Sequence, residues 1–282
     1  AGIEQEIIIA LHRPLRVLLQ HLPVSRHWVA PGTFSASAEG PTLDRNGNLY
    51  AVNYGTDGTI GIVSPDGNAR QLLQLPEGSI ANGIVFDQHD VMYMADYTGH
   101  QVLRYQHGKL SVHAAEPLMN QPNDLAILKN GTLFASDPNW QNSSGQLWRI
   151  DTDGSSHLLE KAMGTTNGIA VSPDQQFLYV SESVQRRIWR FRLGTGGTLT
   201  EKTLFASFSD YGLDGMRTNE KGDLFVARYG KGTVVRLNAT GQVVAEYRLQ
   251  HALPTNVALS RTGPERLFVT IQQCGCIEVI DL

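Results

Sequence analysis

The chain has 282 residues, of which 41% are hydrophobic and 18% are charged, and its formal net charge is −4 at pH 7. These proportions are typical of a soluble globular protein. The slightly acidic balance and the lack of a basic run argue against nucleic acid as the main partner. Signatures of a four-helix bundle, a Rossmann fold or a P-loop are absent, and the length alone allows one or two domains.

The first 26 residues lack the repeated pattern, described below, that runs through the rest of the chain. Residues 7–22 are apolar, but basic residues and a proline between positions 12 and 16 interrupt them, and the stretch is too short and too charged to span a bilayer. We expect residues 1–26 to form an extension, either an amphipathic helix on the main domain or a partly disordered segment. A trimmed anchor or signal remnant is the alternative. Cytoplasmic location is the default expectation, with a periplasmic or secreted protein left open.

From residue 39 onward, six short apolar segments each open with an acidic or amide residue. These openers are Glu39, Asn82, Asn123, Asn167, Asp214 and Asn256. They are separated by 43, 41, 44, 47 and 42 residues, and a period in the low forties indicates a radial or stacked repeat. Equivalent positions of a closed radial repeat point at a common axis, so the sequence directs the search for chemistry to that axis.

An aromatic-rich run of strand length follows each opener. These runs are residues 49–52, 92–95, 133–136, 178–181, 224–227 and 267–270. Their composition favours strands, and Asn-Gly or Lys-Gly steps before several of them supply the positive φ of tight hairpins. A third run, such as residues 60–63, and a weaker fourth one, such as residues 70–73, complete most units. Six units of four strands predict an all-β fold, a six-bladed β-propeller with four-stranded blades.

The last unit ends at Leu282 after its third strand. Residues 27–30 lie just before the first unit and are available to supply the missing strand. Closing the ring with strands from both ends of the chain removes exposed sheet edges. We therefore predict a single propeller domain over residues 27–282, with its ring closed by an N-terminal strand.

The two cysteines, Cys274 and Cys276, stand two residues apart near the last strands. Residues i and i+2 of a strand point to one face, which makes a disulfide between them awkward. We expect two reduced thiols that behave as small hydrophobic residues. A metal site made of two cysteines lacks further ligands at a useful spacing.

Oxygen donors dominate the predicted axis. Two carboxylates, Glu39 and Asp214, would repel each other there unless a cation lies among them and the amide carbonyls. Hard oxygen donors select Ca²⁺ or Mg²⁺ over softer metals, and Ca²⁺ tolerates an irregular set of amide oxygens and waters, so calcium is favoured. The competing interpretation is an Asx-turn at each strand start. It does not explain the first unit, where a Glu, a poor former of such turns, takes the same place.

A further carboxylate, Asp124, follows Asn123 directly. Strand alternation turns its side chain away from the direction of Asn123. Asp124 is therefore either a turn or hydrogen-bonding residue or a base and substrate contact beside the metal, and the sequence leaves both interpretations open.

An outer tier of candidates follows the aromatic runs. Asn139 and Trp140 belong to a long polar loop and are the best candidates for a substrate wall, because long loops on a rigid scaffold often carry binding. Arg228 is expected to offset the carboxylates, to hold a substrate oxygen or to pair with Glu182, and a tyrosine such as Tyr229 more often packs between blades. The candidate substrate-binding residues are Asn82, Asn139, Trp140, Arg228, Tyr229 and Asn256.

Four segments of the chain resemble the regucalcin (senescence marker protein 30)/gluconolactonase family. They are residues 38–41 (AEGP), 121–125 (QPNDL), 166–174 (TNGIAVSPD, followed by LYV at 178–180) and 213–216 (LDGM). The resemblance runs through all six units and implies a six-bladed propeller that binds one divalent metal, usually calcium, and hydrolyses lactones. Residue by residue, it implies metal ligation by Glu39, Asn123, Asn167 and Asp214, with Asp214 also the catalytic carboxylate and Asp124 a carboxylate next to the site.

Two positions depart from related sequences. Some sugar-lactone members of the family carry an Arg two residues before the Asn-Asp pair, and this chain has Gln121 at that position. The difference weakens the case for an aldonolactone as the substrate. Asn82 stands where the related paraoxonases carry a His on the second blade, so a mechanism based on a His dyad is disfavoured.

The resemblance and the residues together predict a metal-dependent hydrolase that opens lactone rings, acting on a small-molecule lactone. The metal is expected to act as a Lewis acid on the carbonyl oxygen, with Asp214 or Asp124 as the base or Asp214 as a nucleophile. Calcium is expected, and Mg²⁺, Mn²⁺ and Zn²⁺ are alternatives. Competing hypotheses are a non-catalytic propeller of the NHL type that binds a protein or sugar, a phosphotriester hydrolase, and a condensing enzyme similar to strictosidine synthase.

Overall fold

Antiparallel strands make up almost all of the regular structure in residues 22–282, the part of the chain that this computed structural model describes. Twenty-four strands form six four-stranded sheets. Within the same residues, the sole helix is a short 3-10 turn at Thr195–Gly197, and no helix there has the length and apolarity needed to cross a bilayer. The predicted all-β, six-bladed propeller is confirmed; the expectation of a helix before residue 22 lies outside the described residues.

The first strand and the first three blades follow one another in chain order. Strand β1 is Arg26–Val29. Blade 1 contains β2 (Phe34–Leu43), β3 (Leu49–Tyr54), β4 (Thr59–Val63) and β5 (Ala69–Gln74). Blade 2 contains β6 (Ala81–Phe86), β7 (Met92–Asp96), β8 (Gln101–Gln106) and β9 (Lys109–Ala115). Blade 3 contains β10 (Leu125–Ile127), β11 (Leu133–Asn139), β12 (Ser144–Ile150) and β13 (Ser156–Met163).

The remaining blades repeat the same order. Blade 4 contains β14 (Thr166–Val171), β15 (Phe177–Glu182), β16 (Arg187–Leu193) and β17 (Leu199–Ser207). Blade 5 contains β18 (Met216–Thr218), β19 (Leu224–Arg228), β20 (Thr233–Leu237) and β21 (Val243–Arg248). Blade 6 contains β22 (Pro254–Leu259), β23 (Arg266–Ile271) and β24 (Cys276–Asp281), and β1 is its fourth strand.

The ring closes by pairing of the two ends of the described chain, as the sequence predicted. Strand β1 runs antiparallel to β24, with His27 opposite Glu278. An exposed ion pair between Arg26 and Asp281, 2.8 Å apart, supports the same contact. Strand β1 thereby covers the outer edge of β24, so β24 is not left as an unpaired edge strand.

The core of the molecule lies between the blades. Six hydrophobic clusters fill the six interfaces between neighbouring sheets. Phe134 of blade 3 packs with Leu178 of blade 4, for example, and Phe225 of blade 5 with Val269 of blade 6; all four are fully buried. Burial of one such side chain contributes about 1.5–3 kcal/mol, so the blades are held face to face by their aromatic-rich second strands.

The cysteine prediction is wrong. Cys274 and Cys276 form a disulfide, with Cα atoms 5.1 Å apart, inside the range that such bonds require. The alternation rule failed because Cys274 belongs to the turn between β23 and β24 and only Cys276 belongs to a strand. Gly275 between them has a φ of +53°, and this turn conformation brings the two side chains together.

Candidate metal centre

The six openers meet around the propeller axis, where hydrogen bonds join five of the six pairs of neighbouring blades. Each bond satisfies the backbone carbonyl of an opener or its neighbour. The donor and acceptor pairs are Gly83 N to Asn123 O, Ser136 Oγ to Asn167 O, Ser181 Oγ to Asp214 O, Gly215 N to Thr255 O, and Thr255 Oγ1 to Ala38 O, at 2.5 to 3.3 Å. The side chains of the openers differ in their partners: those of Asn82 and Asn256 donate to protein acceptors, whereas the Oδ1 atoms of Asn123 and Asn167 have no donor within the described residues.

The glycines that follow several openers are required because the inner segments of neighbouring blades approach each other closely there. A Cβ on Gly83 would collide with the carboxylate of Asp124, and one on Gly215 would collide with the side chain of Asn256. Any residue larger than glycine would push the neighbouring blade away. The opener-Gly pairs of the sequence therefore reflect the tight packing of inner strands.

A cavity of about 420 Å³ opens at this end of the axis. Every blade contributes one residue to an inner tier and one to an outer tier, as the sequence predicted for a radial repeat. The inner residues are Glu39, Asn82, Asn123, Asn167, Asp214 and Thr255, and the outer ones in the same blade order are Asn53, Tyr97, Trp140, Ser183, Tyr229 and Gln272. The structure thus brings the four predicted metal ligands into one cavity.

Two carboxylates, Glu39 and Asp214, line this cavity without a basic side chain in the described lining. Glu39 is 6% exposed, and burial, reinforced by the charge of Asp124, raises its pKa to about 8. Burial also raises the pKa of Asp214 well above its usual range, and the charge of Glu39 adds to the effect. Among residues 22–282, no lysine, arginine or histidine lines the cavity; the nearby Arg217 lowers the pKa of Glu39 only slightly, and its guanidinium is paired with Asp124.

Two amide oxygens beside the carboxylates have no hydrogen-bond donor. Asn123 Oδ1 and Asn167 Oδ1 are buried and unpartnered within the described part of the chain. Leaving a buried acceptor without a donor costs about 1–3 kcal/mol. A hard divalent cation would satisfy both amide oxygens and neutralise both carboxylates, since Ca²⁺ and Mg²⁺ take such oxygen ligands. The residues present therefore fit a group of this kind.

Asp124 lies outside the cavity lining and is fully engaged by the protein. Its Oδ1 accepts the Leu125 amide at 2.8 Å, and its Oδ2 accepts Arg217 Nη1 at 3.0 Å and Asn256 Nδ2 at 3.1 Å. The carboxylate is 1% exposed. The geometry supports the hydrogen-bonding interpretation of Asp124. Asn256 is likewise a partner of Asp124 and does not line the cavity, where Thr255 takes its place.

Sequence reasoning missed Arg217. It lies on the short inner strand β18, and its side chain is 17% exposed. The position three residues after an opener holds Val85, Ala126 and Ala170 in blades 2, 3 and 4. An arginine at that position was the available signal for a buried charge near the axis.

The outer candidates separate into those that line the cavity and those that do not. Trp140 lines it and is 46% exposed. Tyr229 also lines it and donates a hydrogen bond to Gln272 Oε1 at 2.5 Å. Asn82 lines it and donates from Nδ2 to the backbone oxygen of Asn123 at 3.1 Å.

Two outer candidates are used inside the fold instead. Asn139 does not line the cavity; its Oδ1 accepts the Gln141 amide at 3.1 Å and so stabilises its own loop. Arg228 is 1% exposed and pairs with Asp210 at 2.7 Å, not with Glu182, while its guanidinium lies 4.3 Å from the ring centre of Phe208. The sequence did not predict that Arg228 pairs with Asp210, because the contact depends on the folded conformation of the loop before blade 5 that contains Asp210.

Comparison with known proteins identifies the family of this chain. A family model described as the SMP-30/gluconolactonase/LRE-like region matches residues 37–273. A gluconolactonase of Zymomonas mobilis is 27% identical over 68% of this chain and 65% of its own length, and a pentonolactonase of Haloferax volcanii is 28% identical over 52% of each. This chain therefore spans between about half and two thirds of the length of these relatives.

Solved structures share the fold. A calcium-binding protein, regucalcin, from Agrobacterium tumefaciens superposes with a TM-score of 0.79 at 20% identity, covering 92% of this chain and 94% of its own. At that identity the likeness concerns the fold alone. The family match, which covers most of the chain, is decisive: this chain belongs to the SMP-30/gluconolactonase/LRE-like family.

Proposed function

We propose that this chain is a calcium-dependent lactonase. The observation that carries the proposal is the pair of buried amide oxygens without donors, Asn123 Oδ1 and Asn167 Oδ1. They lie beside two carboxylates, Glu39 and Asp214, in a cavity whose described lining holds no basic side chain. The names of the relatives, a gluconolactonase and a pentonolactonase, support hydrolysis of a lactone ring as the reaction.

Glu39, Asn123, Asn167 and Asp214 would hold the cation. When bound, a calcium ion there supplies a Lewis acid that polarises the lactone carbonyl. Four protein oxygens are fewer than the six to eight that Ca²⁺ takes, so positions are left for water and substrate.

We assign proton transfer to Asp214. It lies in the cavity, and both oxygens of the other nearby carboxylate, Asp124, already accept hydrogen bonds. Asp214 removes a proton from the attacking water, and the water oxygen bonds to the carbonyl carbon as the carbonyl π bond opens onto its oxygen. When that π bond re-forms, the ring C–O bond breaks, and Asp214 returns the proton to the ring oxygen, which leaves as a hydroxyl. Asp124 and Arg217 act below the cavity as a positioning pair.

The cavity wall favours an uncharged lactone. Its outer tier offers amides, hydroxyls and aromatic rings, and the only charges in the lining are the carboxylates of Glu39 and Asp214, counted over the described residues. Neutral hydrogen-bonding groups suit the hydroxyls of a substrate ring, and a volume of about 420 Å³ suits a small one. With the cation bound, its charge and those of Glu39 and Asp214 cancel, and a carboxylate, sulfonate or phosphate on the lactone would find no basic side chain in the described lining to pair with.

The test is a panel of sugar, aliphatic and aromatic lactones assayed with and without chelator. We expect turnover of at least one uncharged lactone, loss of that turnover in EDTA, and recovery with calcium. Protein that binds one calcium yet hydrolyses no lactone or ester would instead support a non-catalytic propeller. Turnover that persists after complete removal of divalent ions would refute the role of the cation.

A further inference from the structure

A second cluster of metal-ligating side chains lies outside the cavity lining, where the ring closes. His27 of β1, His251 of the loop after β21 and Cys276 of β24 each present one ligand atom, and these atoms lie within 4.8 Å of one another. The two imidazole rings are 5.3 Å apart. No hydrogen bond within residues 22–282 uses the side chain of His27, which is exposed and free to turn.

The surroundings of the cluster resemble those of a built metal site. Glu278 lies at its base with 0% exposure. Its Oε2 is 3.3 Å from His251 Nδ1, and its Oε1 accepts Ser25 Oγ at 2.5 Å and the Gln250 amide at 2.8 Å. A carboxylate that is itself held in place and that contacts a histidine ring is the usual support for a metal-ligating histidine.

The disulfide with Cys274 is what keeps Cys276 from acting as a ligand. A bond between residues two apart closes a very short loop, and a short loop removes little entropy from the unfolded chain. The fold therefore gains little from this disulfide. A metal ion bound by His27, His251 and Cys276 would instead close a loop that contains most of the chain, from residue 27 to residue 276.

We propose that reduction of the Cys274–Cys276 disulfide creates a zinc site formed by His27, His251 and Cys276. A dithiol reductant transfers two electrons and two protons to the disulfide and becomes a cyclic disulfide itself, leaving two cysteine thiols. Zn²⁺ then replaces the proton of Cys276, and one nitrogen of each imidazole completes three protein ligands.

Zinc is the cation that this ligand set selects. Two imidazoles and one thiolate are borderline-soft donors, which favour zinc and do not attract calcium. Zn–N bonds of about 2.0–2.1 Å and a Zn–S bond of about 2.3 Å require the three atoms to approach by about 1 Å. Rotation of the exposed His27 ring can provide that movement, because no hydrogen bond within residues 22–282 holds its side chain and its ring lies tilted against that of His251.

The decisive comparison is between Cys274→Ser and Cys276→Ser. Both variants lack the disulfide, but only the first retains the ligand. With calcium present to occupy the cavity, Cys274→Ser should bind one more zinc than Cys276→Ser without any reductant, and bound Co²⁺ should show thiolate charge-transfer absorption. We expect saturating zinc to raise the Tm of Cys274→Ser by about 5 °C at a hundredfold excess over Kd.

The wild-type chain provides the redox arm of the experiment. The oxidised protein should bind zinc no better than Cys276→Ser, whereas protein reduced with a phosphine should match Cys274→Ser. His251→Gln in the reduced protein should abolish the cobalt absorption. Equal zinc binding and equal cobalt spectra for the two serine variants, or no thiolate band in the reduced wild type, would overturn the proposal.

Discussion

Two carboxylates near the propeller axis, Asp214 and Asp124, have opposite surroundings. Asp124 is paired with Arg217 and accepts two further hydrogen bonds, from Leu125 and Asn256. Asp214 lines a cavity in which, over the described residues, no basic side chain is present. The chain thus supplies its own cation to one carboxylate and leaves the other without one.

The difference separates a structural polar group from a ligand site. A buried ion pair with complete hydrogen bonding needs nothing from outside the protein. Buried carboxylates and amide oxygens without partners are costly, and such a cost is explained when a ligand offsets it. Asp124 is buried and Asp214 is half-buried, but it is the hydrogen-bond and ion-pair partners that show which of the two carboxylates is already satisfied by the protein.

The largest expected effect is on catalysis, when Asp214 and Asp124 are each replaced by asparagine and the two variants are compared. Asp214→Asn removes the proposed base and should lower lactone kcat about a thousandfold, within the range for general base catalysis. Asp66→Asn, an exposed turn residue, is the control and should leave kcat unchanged. The comparison fails if Asp124→Asn lowers kcat more than Asp214→Asn does.

The second prediction concerns stability. Arg217→Met leaves the 1%-exposed carboxylate of Asp124 without its cation, and loss of one partner of a buried pair should lower the free energy of unfolding by about 3–5 kcal/mol. Urea unfolding with calcium present measures this. The double variant Arg217→Met/Asp124→Asn should recover part of the loss, because the unpaired charge is then gone; no recovery would mean that Arg217 stabilises through packing alone.

Much of the fold was predictable because its signals are local and repeated. The spacing of the openers and aromatic runs gave six units, and the incomplete last unit pointed to β1 as the closing strand. Each of these signals lies within a few residues of the element that it predicts. Repetition then multiplies a weak local preference into a strong one.

The errors concern choices of partner that depend on the folded structure. Arg217 pairs with Asp124 across 93 positions of the chain, and no local pattern encodes that contact. Arg228 finds Asp210 because the loop before blade 5 brings it near. The disulfide was missed because a strand rule was applied to Cys274, which lies in a turn. The openers were predictable as a set, whereas their partners were not.

The third prediction is a pH dependence of the calcium-free protein. The pKa of Glu39 is raised from 4.5 to about 8, so between these values the folded chain holds a proton that the unfolded chain has lost. The free energy of unfolding of the calcium-free protein therefore falls as pH rises from about 4.5 to about 8. Thermal unfolding in EDTA at pH 5 and pH 8 measures this difference.

Calcium and one variant sharpen that measurement. Bound calcium stabilises the ionised carboxylate, so its addition should raise Tm more at pH 8 than at pH 5. Glu39→Gln removes the group and should flatten the slope in EDTA. A calcium-free protein equally stable at both pH values, or a Glu39→Gln variant with the wild-type slope, would contradict the assignment.

The smallest expected effect is at the cavity mouth. Trp140 lines the cavity but is 46% exposed, so we expect it to contact the substrate without holding the reacting atoms. Trp140→Ala should raise KM about three- to tenfold, since an aromatic contact of this kind contributes about 0.5–1.5 kcal/mol, and it should leave kcat unchanged. Leu118→Ala is the control, because Leu118 is 73% exposed and does not line the cavity. A large fall in kcat for Trp140→Ala would contradict this prediction and would show that Trp140 acts in the chemical step.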